Sequence, residues 1–123
     1  MKVSPEDELE MLKKELELLK KVPIIIVEGA YDRKALNAYK IKRIITLVQP
    51  LYKVIESCDK EVAVLTDLDK EGRKLYSRIK SEFAQRGVKI NDRFRKFLLG
   101  YTRLRQIEGL ENYINRLKQE IKT

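Results

Sequence analysis

Residues 62–73 read Val62-Ala63-Val64-Leu65-Thr66-Asp67-Leu68-Asp69-Lys70-Glu71-Gly72-Arg73. The first five are apolar or β-branched without polar alternation, the pattern of a strand covered on both faces. Asp67 breaks the run. From Lys70 to Arg86, Leu75, Ile79 and Phe83 fall on one face of an amphipathic helix, which Gly87 stops. A strand buried on both sides that feeds a helix is the building unit of a parallel sheet. The turn between them lies at the strand's carboxyl end, where open parallel sheets gather their ligands. Two acids at i and i+2 on such a tip, Asp67 and Asp69, can aim at one hard cation; Mg²⁺ keeps several waters and needs only one or two protein carboxylates. Asp69 also has a purely structural reading, as the N-cap of the following helix.

Outward from this stretch the same grammar repeats. Ile24-Ile25-Ile26-Val27 is a short β-branched run ending in Glu28-Gly29-Ala30-Tyr31-Asp32, and Tyr31 to Tyr39 reads as a short helix. Glu28 projects from the strand tip, Gly29 is expected to permit a tight turn that a side chain would obstruct, and Asp32 suits the first helical turn. Ile41 to Val48 is a further apolar stretch ended by Pro50, a short helix covers Leu51 to Ser57, and Val88 to Ile90 form a last short strand. The remainder is expected to be helical, with Ile107, Leu110, Ile114, Leu117 and Ile121 spaced three and four apart. At the other end, Ser4-Pro5 caps a helix carrying Leu9, Leu12, Leu16 and Leu19, with Pro23 beyond it. The fold class is therefore α/β: a parallel four-stranded sheet flanked by helices. Residues 1–21 form an N-terminal helix, 22–100 the core and 101–123 a C-terminal helical extension.

Composition narrows the chemistry. The 123 residues include no His and no Trp and a single Cys, Cys58. Imidazole bases and His-ligated metals are closed, as is a disulfide framework or a Cys-rich zinc site. No run is long enough to cross a bilayer, no signal peptide opens the chain, and no G-x-x-x-x-G-K-[ST] loop is present. The expectation is a cytoplasmic protein working with carboxylates, Lys, Arg or Tyr. Charge is uneven: residues 73–123 hold fourteen basic and five acidic side chains, enough to supply the whole formal net charge of +8. A basic end on a balanced body suggests a polyanionic partner.

A hydrophobic strand ending in E-G-x-x-D, followed by a second ending in D-x-D-x-x-G, resembles the Toprim domain. This Rossmann-like catalytic domain is shared by topoisomerases, bacterial-type primases, OLD-family nucleases and ribosomal-RNA maturation nucleases. The resemblance covers roughly residues 22 to 100 and is strongest to the small stand-alone Toprim proteins of archaea. It implies that Glu28 is the acid/base carboxylate, that Asp67 and Asp69 hold Mg²⁺ (Mn²⁺ in its place), and that Asp32 is a supporting acid. Gly29 and Gly72 would keep the turns tight. Some Toprim enzymes add acids after a later strand; Asp92 and Glu108 are the candidates here.

Lys70 and Arg73 fall where a basic side chain can meet a phosphate. Between Arg86 and Arg105 lie Lys89, Arg93, Arg95, Lys96 and Arg103, with Phe94, Phe97 and Tyr101 interleaved. Arg93, Arg95 and Lys96 are the expected nucleic-acid contacts, and the aromatics are expected in the core. The functional expectation is a Mg²⁺-dependent nuclease of RNA maturation or DNA repair. The alternative is a non-catalytic Toprim module binding structured RNA or DNA within a larger complex. A smaller phosphorylated substrate is a third reading. Partners are nucleic acid and no membrane, with a homodimer or larger assembly left open.

Overall fold

The computed structural model describes residues 3–122; Met1, Lys2 and Thr123, at the ends of the first and last expected segments, lie outside the described residues. Helix α1 spans Pro5–Leu19, with the Ser4 side chain accepting from the Asp7 N–H at its start. Strand β1 (Ile24–Val27), helix α2 (Ala30–Asn37), strand β2 (Ile44–Thr46) and helix α3 (Leu51–Glu56) follow. Next come β3 (Glu61–Leu65), α4 (Lys70–Gln85), β4 (Lys89–Ile90) and α5 (Arg93–Tyr101). A 3-10 turn, Ile107–Gly109, leads into α6, Leu110–Lys122.

All strand pairings are parallel, in the order β2-β1-β3-β4. Period-two alternation splits the core in two. Ile25, Val27, Ala63 and Leu65 face α1, α2, α5 and α6. Ile26, Val62 and Val64 face the other way, onto Val54, Ile55, Ile79 and Phe83 of α3 and α4. From β1 the chain crosses through α2 to β2 on one side, and from β3 it crosses through α4 to β4 on the other. The strand order therefore reverses between β1 and β3, and the crevice at their carboxyl ends is the topological switch point.

The leucine stripe of α1 is spent inside the molecule. Leu9, Leu12, Leu16 and Leu19 are all buried against the same core as α5 and α6. At about 1.5–3 kcal/mol for each large apolar side chain removed from water, this burial rather than propensity holds α1 in place. Two polar ties reinforce it. Arg93 makes a two-pronged contact with the nearly buried Glu15, Nε to Oε1 at 2.9 Å and Nη2 to Oε2 at 3.0 Å. The Tyr113 hydroxyl donates to Glu8 and accepts from the Arg103 N–H.

Two expectations need correction. The stretch Ile41–Val48 contributes only Ile44–Thr46 to the sheet; Ile41 is buried beneath α2, while Val48 is 78% exposed. The C-terminal part is also not continuously helical. The Thr102 hydroxyl donates to the Leu98 carbonyl, which also accepts from the Thr102 N–H, and accepts from the Leu104 N–H, so it diverts an N–H that would have continued α5. Thr102 is extended (φ −130°, ψ 166°), and the chain runs without regular structure to the 3-10 turn. Among the described residues, no helix is long and apolar enough to cross a membrane.

Candidate active site at the β1/β3 switch point

Register places Val27 beside Leu65, so the two acidic turns leave the sheet side by side. The Asp67 N–H donates to Glu28 Oε2 at 2.8 Å, joining one strand tip to the next. Asp67 Oδ1 accepts from the Ile107 N–H at 3.1 Å, and the Leu68 N–H donates to the Arg105 carbonyl at 2.7 Å. The segment after α5 is thereby fastened to the turn after β3. Asp69 is the N-cap of α4, its Oδ1 accepting from the Gly72 N–H at 2.8 Å. Asp32, in the first turn of α2, reaches back to accept from the Gly29 N–H at 2.9 Å. Each of the four carboxylates thus commits one oxygen to a backbone N–H and leaves the other outside these bonds.

The acids share a field. Burial raises the Asp32 pKa above its ordinary value, opposed by the Gly29 hydrogen bond and assisted by the negative charges of Asp67, Glu28 and Glu108. Glu108 therefore stands within electrostatic reach of the site, whereas Asp92 pairs with Lys96 at 3.0 Å. Among the described residues, no group of three or more acids converges closely enough to cage a metal ion. The donors are nevertheless all hard oxygens, and a cation that keeps most of its waters needs only one or two of them.

The β3–α4 turn is locked from several sides. The buried Thr66 hydroxyl donates to the Gly72 carbonyl at 2.7 Å. A side chain at Gly72 would drive its Cβ to 2.8 Å from Asp67 Cα and closer still to the Asp67 carbonyl, so only glycine fits. Gly29 differs from expectation: its φ of −151° is extended backbone open to any residue, and a Cβ there meets nothing within 4 Å.

Compared with proteins already described, the chain is 35% identical over 121 residues to UPF0292 protein MJ1624 of Methanocaldococcus jannaschii, a match covering 87% of this chain and 94% of that one. The chain belongs to the UPF0292 family. No family model matches it. Among solved structures, the UPF0292 chain resembles a protein from Aquifex aeolicus with a TM-score of 0.73 at 30% identity, covering 81% of this chain and 95% of the other.

The basic residues expected to meet nucleic acid are divided by the UPF0292 fold. Lys70 and Arg73 are exposed on the first turn of α4, beside Asp69. Arg95 is 4% exposed, and its guanidinium donates to the Thr66 and Asp67 carbonyls at 2.7 and 3.1 Å and lies 4.3 Å from the centre of the Tyr76 ring. Burial lowers its pKa, while Tyr76, Asp67 and Glu28 favour its charge. It is a prop beneath the acidic turn, not a surface contact. Arg93 is held by Glu15, and Lys96, although exposed, by Asp92. Phe94 and Phe97 are buried, with Tyr101 stacked on Phe97.

Two features escaped the sequence reading. Tyr31 stands 74% exposed immediately before Asp32. Arg105 arrives beside the acids on the extended segment, and only that segment's hydrogen bonds reveal it.

Proposed function

We propose that this chain is a Toprim-type protein whose acidic switch point acts on nucleic-acid phosphodiesters with Mg²⁺ or Mn²⁺, as a small nuclease of RNA maturation or DNA repair. The observation that carries this reading is the hydrogen bond from the Asp67 N–H to Glu28. It holds a carboxylate of one central strand tip against the acidic turn of its neighbour, at the place where parallel sheets bind ligands. In this reading the setting is cytoplasmic, which the lone buried Cys58 suits.

Asp67 and Asp69 would hold the cation, with Asp32 in support. When bound, the cation neutralises phosphodiester charge and lowers the pKa of a bound water. Glu28 keeps Oε1 outside its bond to Asp67, an oxygen with which to take up or return a proton. Arg95, beneath the turn, offsets the charge of Asp67 and Glu28. Lys70 and Arg73 stand ready for a phosphate on the exposed turn beside Asp69.

Asparagine at both 67 and 69 keeps the acceptor oxygens used by Ile107 and Gly72, so the fold should survive. Calorimetry should then show Mg²⁺ and Mn²⁺ affinity lost in Asp67→Asn/Asp69→Asn. Glu28→Gln keeps the acceptor for Asp67 and loses the exchangeable proton. Cleavage of labelled structured RNA or DNA should fall by about 10²–10⁴-fold while metal affinity changes little. Full activity in Glu28→Gln would remove its assigned role. A wild-type protein that binds these nucleic acids without cutting any would leave the binding-module reading in place of the nuclease.

A further inference from the structure

Beside the acids lies a groove of about 400 Å³ between the chain that follows α5 and helix α6. Asp69 is one of the residues that line it. Arg103, Arg105 and Arg116 line it, together with the neutral hydrogen-bonding side chains of Gln106 and Asn112. The three arginines are exposed, and among the described residues none of them takes part in an ion pair. Two other arginines near the site are differently placed, with Arg95 turned inward and Arg93 held by Glu15. Beyond Arg103, Tyr113 and Arg116 a second groove, of about 530 Å³, continues toward the start of α1. The two grooves share those three residues, but Glu8 and Glu120 also line the second, so the basic trough is the first groove, beside Asp69.

The trough is fixed to the acids. The Arg105 carbonyl accepts from Leu68, the Ile107 N–H binds Asp67, and the Arg103 N–H is held by the Tyr113 hydroxyl. The backbone that carries Arg103 and Arg105 therefore has a set position relative to Asp67 and Asp69. A planar guanidinium with several donors suits phosphate oxygens, and neutral amides serve sugar and base edges.

We propose that this trough binds the phosphate backbone of a single nucleic-acid strand and leads it to the acidic switch point. Walls on both sides suit one strand lying within it; a duplex would present a convex surface to the same place. The inference rests on the nucleic-acid reading above and adds the surface and the direction of approach. Lys70 and Arg73 meet the strand on the far side of Asp69.

The test is the binding of a fluorescein-labelled single-stranded RNA 20-mer in EDTA, where neither metal nor cleavage intervenes. Affinity is measured by anisotropy between 50 and 300 mM salt for wild type, Arg103→Ala/Arg105→Ala/Arg116→Ala, and a control, Lys80→Ala/Arg86→Ala, in the distal half of α4 and at its C-cap. Each phosphate contact on a single strand contributes about 0.7 to the salt slope. The triple variant should lose about 2 in slope and on the order of a hundredfold in affinity at 0.1 M salt, while the control holds both. Thermal melting of each variant checks the fold.

A triple variant that binds like wild type overturns the trough and leaves the nucleic-acid reading standing. So does an equal loss in the control, which would mean diffuse attraction. Wild type that binds no RNA or DNA in this range overturns both. Polyglutamate competing as well as RNA would assign the trough to acidic proteins instead, and tighter binding of a blunt duplex would overturn the single-strand assignment.

Discussion

At the end of β1 the turn runs from Glu28 to Asp32, and its acid reaches backward to the Gly29 N–H; at the end of β3 it runs from Asp67 to Gly72, and Asp69 reaches forward to the Gly72 N–H. Both turns spend one carboxylate on a helix start, and both contain a glycine. The first turn is loosely enclosed, with empty space around Gly29. The second has its backbone folded against itself at Gly72, its carbonyls held by Arg95, and Thr66 locked onto Gly72. A shared motif therefore conceals different physical demands. Glycine is required by close backbone approach in one turn and only tolerated in the other.

The sharpest way to break this comparison is to add one methyl group to each glycine. Gly72→Ala forces the Asp67 backbone to move and should cost about 3 kcal/mol or more, at the upper end of overpacking penalties. Gly29→Ala has room and an ordinary φ, so reduced freedom of the unfolded chain and a weaker helix cap should nearly cancel, within about 1 kcal/mol. Urea denaturation of both variants checks the pair; equal losses would erase the distinction.

The hydrogen bonds of Arg95 go to the second turn. Arg95→Met keeps much of the buried volume but strips the Thr66 and Asp67 carbonyls of their donor, and should cost about 2–3 kcal/mol. Arg95→Lys should recover only part of this, because an ammonium cannot present two donors in one plane to two carbonyls. Full recovery in the lysine variant, read by the same denaturation, would show that charge alone holds the turn.

The smallest effect is a slope with pH, and it belongs to the first turn. Because the folded pKa of Asp32 is raised, the native state binds its proton more tightly than the unfolded chain does. That contribution to stability is fully present below the ordinary aspartate value of about 4 and is lost as pH rises through the folded value. Asp32→Asn keeps an acceptor for Gly29 and removes the titration. In EDTA, the stability of wild type relative to Asp32→Asn should fall as pH rises through this window. A difference independent of pH, measured by urea denaturation from pH 3.5 to 7, would contradict it.

Much of the fold was legible because burial leaves local periodicity. The four strands, the helix faces and the acids at the strand tips follow from patterns a few residues long. Within the candidate site, the order Glu28, Asp32, Asp67, Asp69 was equally local. Basic residues 93–96 were not, since a run of cations looks alike whether its members face solvent or the interior. Arg93 finds Glu15 at a separation of 78 residues, and Arg95 finds carbonyls 28 and 29 residues earlier. At the break after α5 the Thr102 hydroxyl takes the Leu104 N–H, a partner that helix periodicity does not reveal.

By itself the sequence determined an α/β chain with two acidic strand-to-helix turns, because apolar spacing and capping residues act on neighbours. Tertiary structure alone decided that Glu28 meets the Asp67 backbone across 39 residues and that Ile107 reaches Asp67 across 40. It also decided which arginines were drawn inward and which were left along the trough. The partner of a polar group is chosen by what the sheet order brings within hydrogen-bond distance, and that order is a property of the whole chain.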